Sequence, residues 1–423
     1  MVVWPRWFHI LWWCWLTAAI AYAQPAATPP AGEGLGVQLL TMGPGPAVWE
    51  RFGHNALVVI DHSSGVNRAY NFGVFDFNDA DFIPRFVRGD MRYWMESDEA
   101  LDMVGPYFQQ GRDVWGQVLA LSPEQARALL NALEVNALPH NKHYTYHYFL
   151  DNCSTRVRDA IDRATGGQLR PQLQAMPTGA TYREHALIGL AEAPLLAVGV
   201  DYALSAHADR PLSAWEESFL PVRLMEHLQQ VTLTDAGGAS RSLVERRRAL
   251  HADETGRYRL PEHPPRRWPA MLALGLAGGA AMALAGPAAR RSRLGRWLAG
   301  GLWGAWGLLA GVGGMFLLGV WTLTAHVTSY ANENLLLTSP IAILLAGLGP
   351  LAAAGRARMM TRAVVAFCAA SAGVGLVVKA FPAFSQQNGS IIALTLPLWI
   401  GAGLGVWWRT RATTPASSPV QEP

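Results

Sequence analysis

The pattern of hydrophobic positions changes near residue 266 of the 423-residue chain. Before that point apolar and polar residues are mixed, and most of the charged residues are found there. From Trp268 onward Ala, Gly, Leu and Val dominate. A chain of this length exceeds what one hydrophobic core usually organises. The pattern therefore predicts a soluble domain over residues 24–265 and an all-α membrane domain over 266–411, followed by a disordered cytoplasmic tail over 412–423.

Five segments of the second half are apolar enough, and about long enough, to cross a bilayer as helices. They are Trp268–Gly286, Trp297–Thr322, Leu335–Ala354, Ala363–Val378 and Ile391–Trp408. Arginines follow the first, third and fifth segments, whereas the other two connections carry only Lys379 as a basic residue. Basic loops stay in the cytoplasm. The pattern thus places the soluble domain in the periplasm. Arg266 and Arg267 are an exception that fits either contact with lipid phosphates or a simple interface anchor.

The first 23 residues form a largely apolar run that ends in Ala21-Tyr22-Ala23. This is typical of a signal peptide, and a retained membrane anchor is the alternative. The net charge of +3 is small, and no basic groove interleaved with aromatics accompanies it, which argues against nucleic acid as a partner. Of the three cysteines, Cys14 and Cys368 lie in apolar runs, so no disulfide framework can form in the soluble domain.

The remaining cysteine, Cys153, follows the helix-capping residues Asp151 and Asn152, and apolar residues then recur at helical spacing. The spacing predicts a helix with Cys153 in its first turn. At that position the helix dipole lowers the pKa of a thiol, and free backbone N–H groups can hold an oxyanion. A small buried hydrophobic residue is the structural alternative. The polar neighbours favour a nucleophile.

A thiolate catalyst needs a base, and His54 is the best-placed candidate. It immediately precedes the apolar run Ala56–Ile60, and a turn then leads into a second β-prone run that contains Asn71. Folded as a hairpin, the two runs bring Asn71 beside His54, where an amide can orient the imidazole. His140, His143 and His147 form a competing cluster with zinc-like spacing. Because the residues between His143 and His147 favour a strand, the three histidines are not expected to converge.

These segments resemble a known family. Gly45–Phe77, Tyr144–Asp159, Ser213–Pro221 and the loop His326–Asn334 leading into Pro340 are similar to Lnb-type lipoprotein N-acyltransferases of bacteria. The order of histidine strand and cysteine helix resembles a circularly permuted papain-like enzyme. The resemblance implies an α+β periplasmic domain with an antiparallel sheet, attached to helices in the inner membrane.

The resemblance also implies a reaction. Cys153 would attack an ester of a phospholipid, His54 would take the thiol proton, and the resulting thioester would acylate the α-amine of a lipidated lipoprotein cysteine. Asn71 is the expected third catalytic residue, and no cofactor or metal is required. The candidate substrate-binding residues are Asn152, Arg156, Tyr146, Tyr148, His326, Asn332 and Asn334. Two alternatives remain open: a membrane-anchored cysteine peptidase or amidase acting on cell-wall peptides, and a non-catalytic membrane scaffold.

Overall fold

The computed structural model of the protein describes residues 34–411. The predicted signal peptide or anchor over residues 1–23, with Cys14, lies outside the described residues, as does the predicted tail over 412–423. The division at residue 265 stays a prediction. The described chain passes from its last strand, which ends at His251, to its first membrane-length helix, which begins at Trp268.

A seven-stranded antiparallel sheet forms the centre of the first domain, in the order β6-β4-β3-β2-β1-β5-β9. Alternating side chains of its strands point to opposite faces. The nine strands are β1 (Leu35–Met42), β2 (His54–Asp61), β3 (Val66–Val74), β4 (Met91–Glu99), β5 (Val114–Leu119), β6 (His143–Tyr146), β7 (Thr232–Thr234), β8 (Ser240–Ser242) and β9 (Val244–His251). Strands β7 and β8 form a separate hairpin.

Helices cover both faces of this sheet. They are α1 (Phe82–Arg88), α2 (Ala100–Gln109), α3 (Pro123–Ala137), α4 (Cys153–Ala164), α5 (Leu169–Gln174), α6 (Tyr182–Gly189), α7 (Pro194–Ala203), α8 (Ala214–Glu217) and α9 (Pro221–Leu228). On one face, Leu39 and Leu57 join a core with Leu129 of α3 and Ile161 of α4. On the other face, Leu40 and Val58 pack with Val104 of α2. The predicted α+β fold is confirmed, and so are the helix that begins at Cys153 and the β2–β3 hairpin.

The second domain contains five helical segments that are long and apolar enough to cross a membrane, as predicted. Its helices are α10 (Trp268–Arg291), α11 (Arg293–Leu323), α12 (Asn334–Leu337), α13 (Leu345–Ala353), α14 (Arg358–Val377) and α15 (Gly389–Thr410). Helices α12 and α13 belong to one span, Asn334–Ala353, interrupted by a 3₁₀ turn. Small residues let the helices approach closely: a Cβ built at Gly401 would lie 2.0 Å from the carbonyl oxygen of Gly279.

The segment between α5 and α9 has two roles in the packing, which the sequence alone leaves open. Leu173 and Trp215 belong to the main core beneath the sheet. Ala186, Val200 and Leu204, which lie between them in sequence, line a large cavity instead. This segment therefore extends the core and also forms one wall of the cavity.

Candidate active site

Helix α4 holds Cys153 at its first position, where the side chain is buried. The preceding Asn152 caps the helix: its Oδ1 accepts hydrogen bonds from the backbone N–H groups of Ser154 and Thr155, both at 2.9 Å. Its Nδ2 donates to the carbonyl oxygens of Tyr148 and Phe219 at 3.0 and 2.9 Å. Asn152 thereby fixes the start of the helix. The Cys153 N–H, at the first helical position, has no intrahelical acceptor and can bind a developing oxyanion.

His54 begins strand β2 and meets Asn71 of β3. In the register of these strands Ala56 lies opposite Asn71, so Asn71 is a diagonal neighbour of His54 on the same face. The His54 Nε2 and Asn71 Oδ1 atoms are 2.5 Å apart. An amide oxygen only accepts hydrogen bonds, so Nε2 carries the proton and Nδ1 is the nitrogen left to act as a base.

Cys153 and His54 form an interacting pair. Burial raises the pKa of the Cys153 thiol, but the positive charge of His54 and hydrogen bonds from His54 and two backbone N–H groups outweigh burial, and the pKa falls below its ordinary value. Burial likewise lowers the pKa of His54, but the charge of the Cys153 thiolate and hydrogen bonds with Cys153 and Asn71 bring it above 6.5. Both shifts move the pair towards a thiolate beside an imidazolium, which is the reactive form of a nucleophilic cysteine.

Gly73 of β3 makes room for this pair. Its φ is +91°, and the pairing of β3 with β4 shifts register between Phe72 and Val74. Such a bulge often redirects a strand next to a functional site. A Cβ built on Gly73 would lie 3.4 Å from the Cβ of Cys153 and 3.8 Å from Cε1 of His54. Gly73 therefore lies near the end of β3, next to both the cysteine and the histidine of the pair.

Tyr144 of β6 is a candidate site residue that the sequence alone did not single out. Its hydroxyl is buried and has no hydrogen-bond partner among the described residues. The same Cβ built on Gly73 would lie 3.9 Å from this hydroxyl, so the hydroxyl is close to the Cys153–His54 pair. Burial and the nearby Cys153 charge raise the pKa of Tyr144 well above 10.0, which keeps it a hydrogen-bond donor. Its only sequence signal is a position on a short aromatic strand just before the cysteine helix.

The pair opens into a cavity of about 1060 Å³, at the upper end of the range for small-molecule sites. Cys153, His54 and Asn71 are among the residues that line it. Most of its remaining wall is aromatic or aliphatic, and it is shared between the two domains. The wall includes Trp49, Phe75, Tyr93, Tyr107, Leu190 and Leu196 from the first domain, and Phe316, Gly319, Val320 and Leu323 from helix α11.

Four of the seven residues predicted to bind substrate line this cavity: Tyr146, Tyr148, Asn152 and His326. The Tyr148 hydroxyl lies 3.4 Å from His326 Nδ1 and 3.1 Å from the Thr328 hydroxyl. Tyr148 therefore joins the strand–helix connection of the first domain to the loop that follows α11. Tyr148 and His326 were both predicted from the sequence to bind substrate, but the contact between them was not predicted.

The other three predicted substrate-binding residues face elsewhere. Arg156 forms an ion pair with Asp151 and stacks over the Tyr144 ring at 3.9 Å. Asn332 is buried, and its Nδ2 donates to the carbonyl oxygens of Tyr202, Ala203 and Leu204. Asn334 is also buried and donates to the Tyr202 carbonyl at 2.9 Å. Asn332 and Asn334 therefore hold the loop after α11 against the end of α7, because their amide groups donate to backbone carbonyls there.

The histidines of the alternative zinc cluster lie at the edge of the domain. His143 is exposed at the start of β6, and Nδ1 of His147 accepts hydrogen bonds from the backbone N–H groups of Phe149 and Leu150, both at 3.2 Å. Within residues 34–411 no three His, Cys, Asp or Glu side chains are arranged to hold a metal ion.

Fold and site together define a multi-pass membrane protein in which a cysteine, a histidine and an asparagine of the α+β domain line a cavity shared with the membrane helices. Residues 32–186 match the family model described as the Lnb N-terminal periplasmic domain. This part of the chain is therefore similar to that domain, and the resemblance expected from the sequence is confirmed there. The match also supports the periplasmic location predicted from the distribution of arginines. Comparisons with curated proteins and with solved structures give no match.

Proposed function

We propose that the protein is a cysteine-dependent acyltransferase of the inner membrane. It moves a fatty acyl chain from a phospholipid, through a Cys153 thioester, to the N-terminal α-amine of a lipidated lipoprotein. One observation carries the proposal: Cys153, His54 and Asn71 line a largely apolar cavity whose wall includes residues of a membrane-length helix. The Lnb N-terminal periplasmic domain supports a role in lipoprotein processing.

In the first half-reaction the His54 Nδ1 takes the thiol proton, and the Cys153 sulfur attacks the carbonyl carbon of the acyl ester. The oxygen of the tetrahedral intermediate accepts hydrogen bonds from the Cys153 backbone N–H and from the Tyr144 hydroxyl. The bond to the glycerol oxygen then breaks. That oxygen takes the proton from His54, and a lysophospholipid leaves behind the acyl thioester on Cys153.

In the second half-reaction the lipoprotein α-amine attacks the thioester carbonyl while His54 accepts its proton. The carbon–sulfur bond breaks, the amide is formed, and the Cys153–His54 ion pair is restored. Asn71 holds the imidazole by its Nε2–H throughout, so that Nδ1 keeps facing the sulfur. The apolar cavity wall excludes water, which would otherwise hydrolyse the thioester.

The test uses cells depleted of their own lipoprotein N-acyltransferase. The full chain is expressed in them with a reporter lipoprotein, whose N-terminus is then examined by mass spectrometry. We expect an N-linked acyl group with the wild-type chain, and none with Cys153→Ala or His54→Ala. A cysteine hydrolase would instead release free fatty acid or peptide without acylating the reporter, and a scaffold would be indifferent to Cys153→Ala. An unacylated reporter in cells that express the folded wild-type chain would overturn the proposal.

A further inference from the structure

Two short helices of the first domain expose apolar faces beside the cavity. On α7, Leu195 is 90% exposed and Leu196 is also exposed. On α1, the exposed apolar residues are Ile83, Phe86 and Val87. Neighbouring residues of both helices line the cavity itself, so the two apolar faces flank its wall. Exposed aliphatic and aromatic side chains grouped in this way mark an interaction surface.

Contacts with the membrane helices fix the level of α7. The Tyr202 hydroxyl lies 2.6 Å from the Thr338 hydroxyl of the third span, and a Cβ built on Gly313 of α11 would lie 2.7 Å from the Tyr202 hydroxyl. Gly313 precedes the end of α11 at Leu323 by about 15 Å, at 1.5 Å per residue. The Tyr202 hydroxyl therefore lies well below the periplasmic tip of α11.

The length of α11 indicates how deep in the bilayer Gly313 lies. Its 31 residues span about 46 Å at 1.5 Å per residue, whereas the hydrocarbon core of a bilayer is about 30 Å thick. Arg293 and Arg296 hold its other end among the head groups. About 20 helical residues cross the hydrocarbon core, so a crossing that begins at Trp297, just after these arginines, ends near Phe316. Gly313 and Tyr202 thus lie at the depth of the outer-leaflet acyl chains.

Helix α1 is attached to the same end of α11. The Ala325 N–H donates to the Arg88 carbonyl oxygen at 2.8 Å, and His326 Nε2 lies 3.0 Å from the Phe86 carbonyl oxygen. Arg85 and Arg88 lie in the last turn of α1, beside its exposed apolar residues. Apolar residues combined with arginines are typical of a helix at the bilayer surface, where the guanidinium groups meet lipid phosphates.

We propose that α1 and α7 are inserted into the outer leaflet and that the cavity opens to the lipid between them and α11. A phospholipid then enters sideways from the bilayer, with an acyl chain against Leu196, Val200 and Phe316 and its phosphate near Arg88. The entry of the acyl donor rests on the proposed function. The insertion of the two helices does not, because it follows from exposure and from their contacts with the membrane domain.

Insertion is tested on the full chain in vesicles of phosphatidylethanolamine and phosphatidylglycerol. Its three native cysteines are replaced by serine, and a fluorophore is attached to Leu195→Cys or Ile83→Cys. The matched control is Val66→Cys, an exposed aliphatic position at the opposite end of the β2–β3 hairpin from His54. Lipids spin-labelled near the top of the acyl chain should quench the first two labels and not the control. Unquenched fluorescence at position 195 would overturn the insertion of α7, whether or not the protein is an acyltransferase.

Entry from the bilayer is tested with Leu195→Glu, with Val66→Glu as control, in a chain that retains Cys153. Acylation of Cys153 is measured from vesicle phospholipid and from a short-chain ester dissolved in water. We expect Leu195→Glu to slow acylation from phospholipid about tenfold, because a carboxylate resists insertion into lipid. The soluble ester should react within about twofold of the wild-type rate. If Leu195→Glu and Val66→Glu were acylated from phospholipid at the same rate, entry of the lipid from the bilayer would be overturned. If the wild-type chain were acylated by neither donor, the proposed function would be overturned.

Discussion

Gly73 lies against Cys153: a Cβ at position 73 would lie 3.4 Å from the Cβ of Cys153, in direct contact with the side chain of the nucleophile. Gly65, at the turn of the same hairpin, has a similar positive φ of +73° but nothing within 4 Å of its would-be Cβ. The two glycines therefore separate the cost of backbone strain from the cost of crowding at the site.

Gly73→Ala and Gly65→Ala are both expected to lower the free energy of unfolding by about 1–2 kcal/mol, since a left-handed backbone disfavours a Cβ. Only Gly73→Ala should lower the rate of Cys153 acylation. A displacement of the thiol from the imidazole costs on the order of 10²-fold. Thermal unfolding in detergent and single-turnover acylation measure the two effects. Equal acylation rates in the two variants would show that Gly73 does not position the pair.

The ionisation of Cys153 gives a second prediction. In the wild-type chain the thiolate is stabilised by the charge of His54, so the rate of alkylation by iodoacetamide should reach half its maximum below pH 9.0, the ordinary thiol value. In His54→Ala that charge is absent while burial remains, and burial raises the pKa of a thiol. The midpoint should therefore move above pH 9.0. Alkylation of the peptide that contains Cys153, followed by mass spectrometry, provides the measurement.

The pKa of His54 also depends on the nearby Arg112, which all the variants in this experiment keep. Its charge lowers the pKa of His54, but it is bonded to the Gly43 carbonyl oxygen at 2.7 Å and paired with Glu50. The control variant is Asn71→Ala, which keeps the imidazole and removes only its hydrogen bond. Its midpoint should fall between those of the wild-type chain and His54→Ala. An unchanged midpoint in His54→Ala would contradict the ion pair.

Tyr144→Phe separates catalysis from folding. Within residues 34–411 the buried hydroxyl has no hydrogen-bond partner, so its removal should leave the free energy of unfolding unchanged or raise it. Loss of an oxyanion donor should lower the rate constant of acylation by about 10²–10³-fold with little change in KM. Tyr93→Phe is the matched control, because Tyr93 lies opposite Tyr144 in the sheet and also lines the cavity. A normal rate in Tyr144→Phe would remove this tyrosine from the mechanism.

The loop after α11 yields a different kind of prediction. Asn332→Ala removes a shared donor from three backbone carbonyls at the end of α7. Asn334 still donates to the Tyr202 carbonyl, and Arg183 and Gln386 still donate to that of Leu204. Among the three, the Ala203 carbonyl therefore loses its side-chain donor, at a cost of about 1–3 kcal/mol. We expect a lower unfolding temperature and, in the protein that remains folded, an unchanged KM for the lipoprotein. His326→Ala, at the cavity wall, should instead raise KM. A raised KM with normal stability in Asn332→Ala would restore the substrate-binding role predicted from the sequence.

Much of the fold could be predicted from the sequence because its signals are local. The capping by Asn152, the apolar run Ala56–Ile60 and the length of the membrane segments each act within a few turns or strand pairs. The contact between His54 and Asn71 was predictable as well, since the hairpin turn fixes their register. These are the features in which short-range geometry decides the outcome.

Contacts between distant segments could not be predicted in the same way. Asn332 resembles a polar residue free to meet head groups until the carbonyls of α7 are seen beside it. Tyr144 resembles any aromatic residue of a strand, because only the packed structure shows that its hydroxyl lacks a partner near Cys153. The cavity itself depends on α11 docking against the first domain. The hydrophobic pattern of α11 and that of the first domain do not indicate where the two meet.

The central claim is that Cys153 carries the acyl chain, and the most direct measurement is the mass of the intact protein after incubation in phospholipid vesicles without a lipoprotein acceptor. The account predicts a single added acyl group on the peptide containing Cys153, released by neutral hydroxylamine as a thioester is, and absent from Cys153→Ala. It also predicts strongly reduced labelling in His54→Ala. A folded wild-type chain that gains no acyl group on the peptide containing Cys153 in these vesicles would contradict acyl transfer through this thiol.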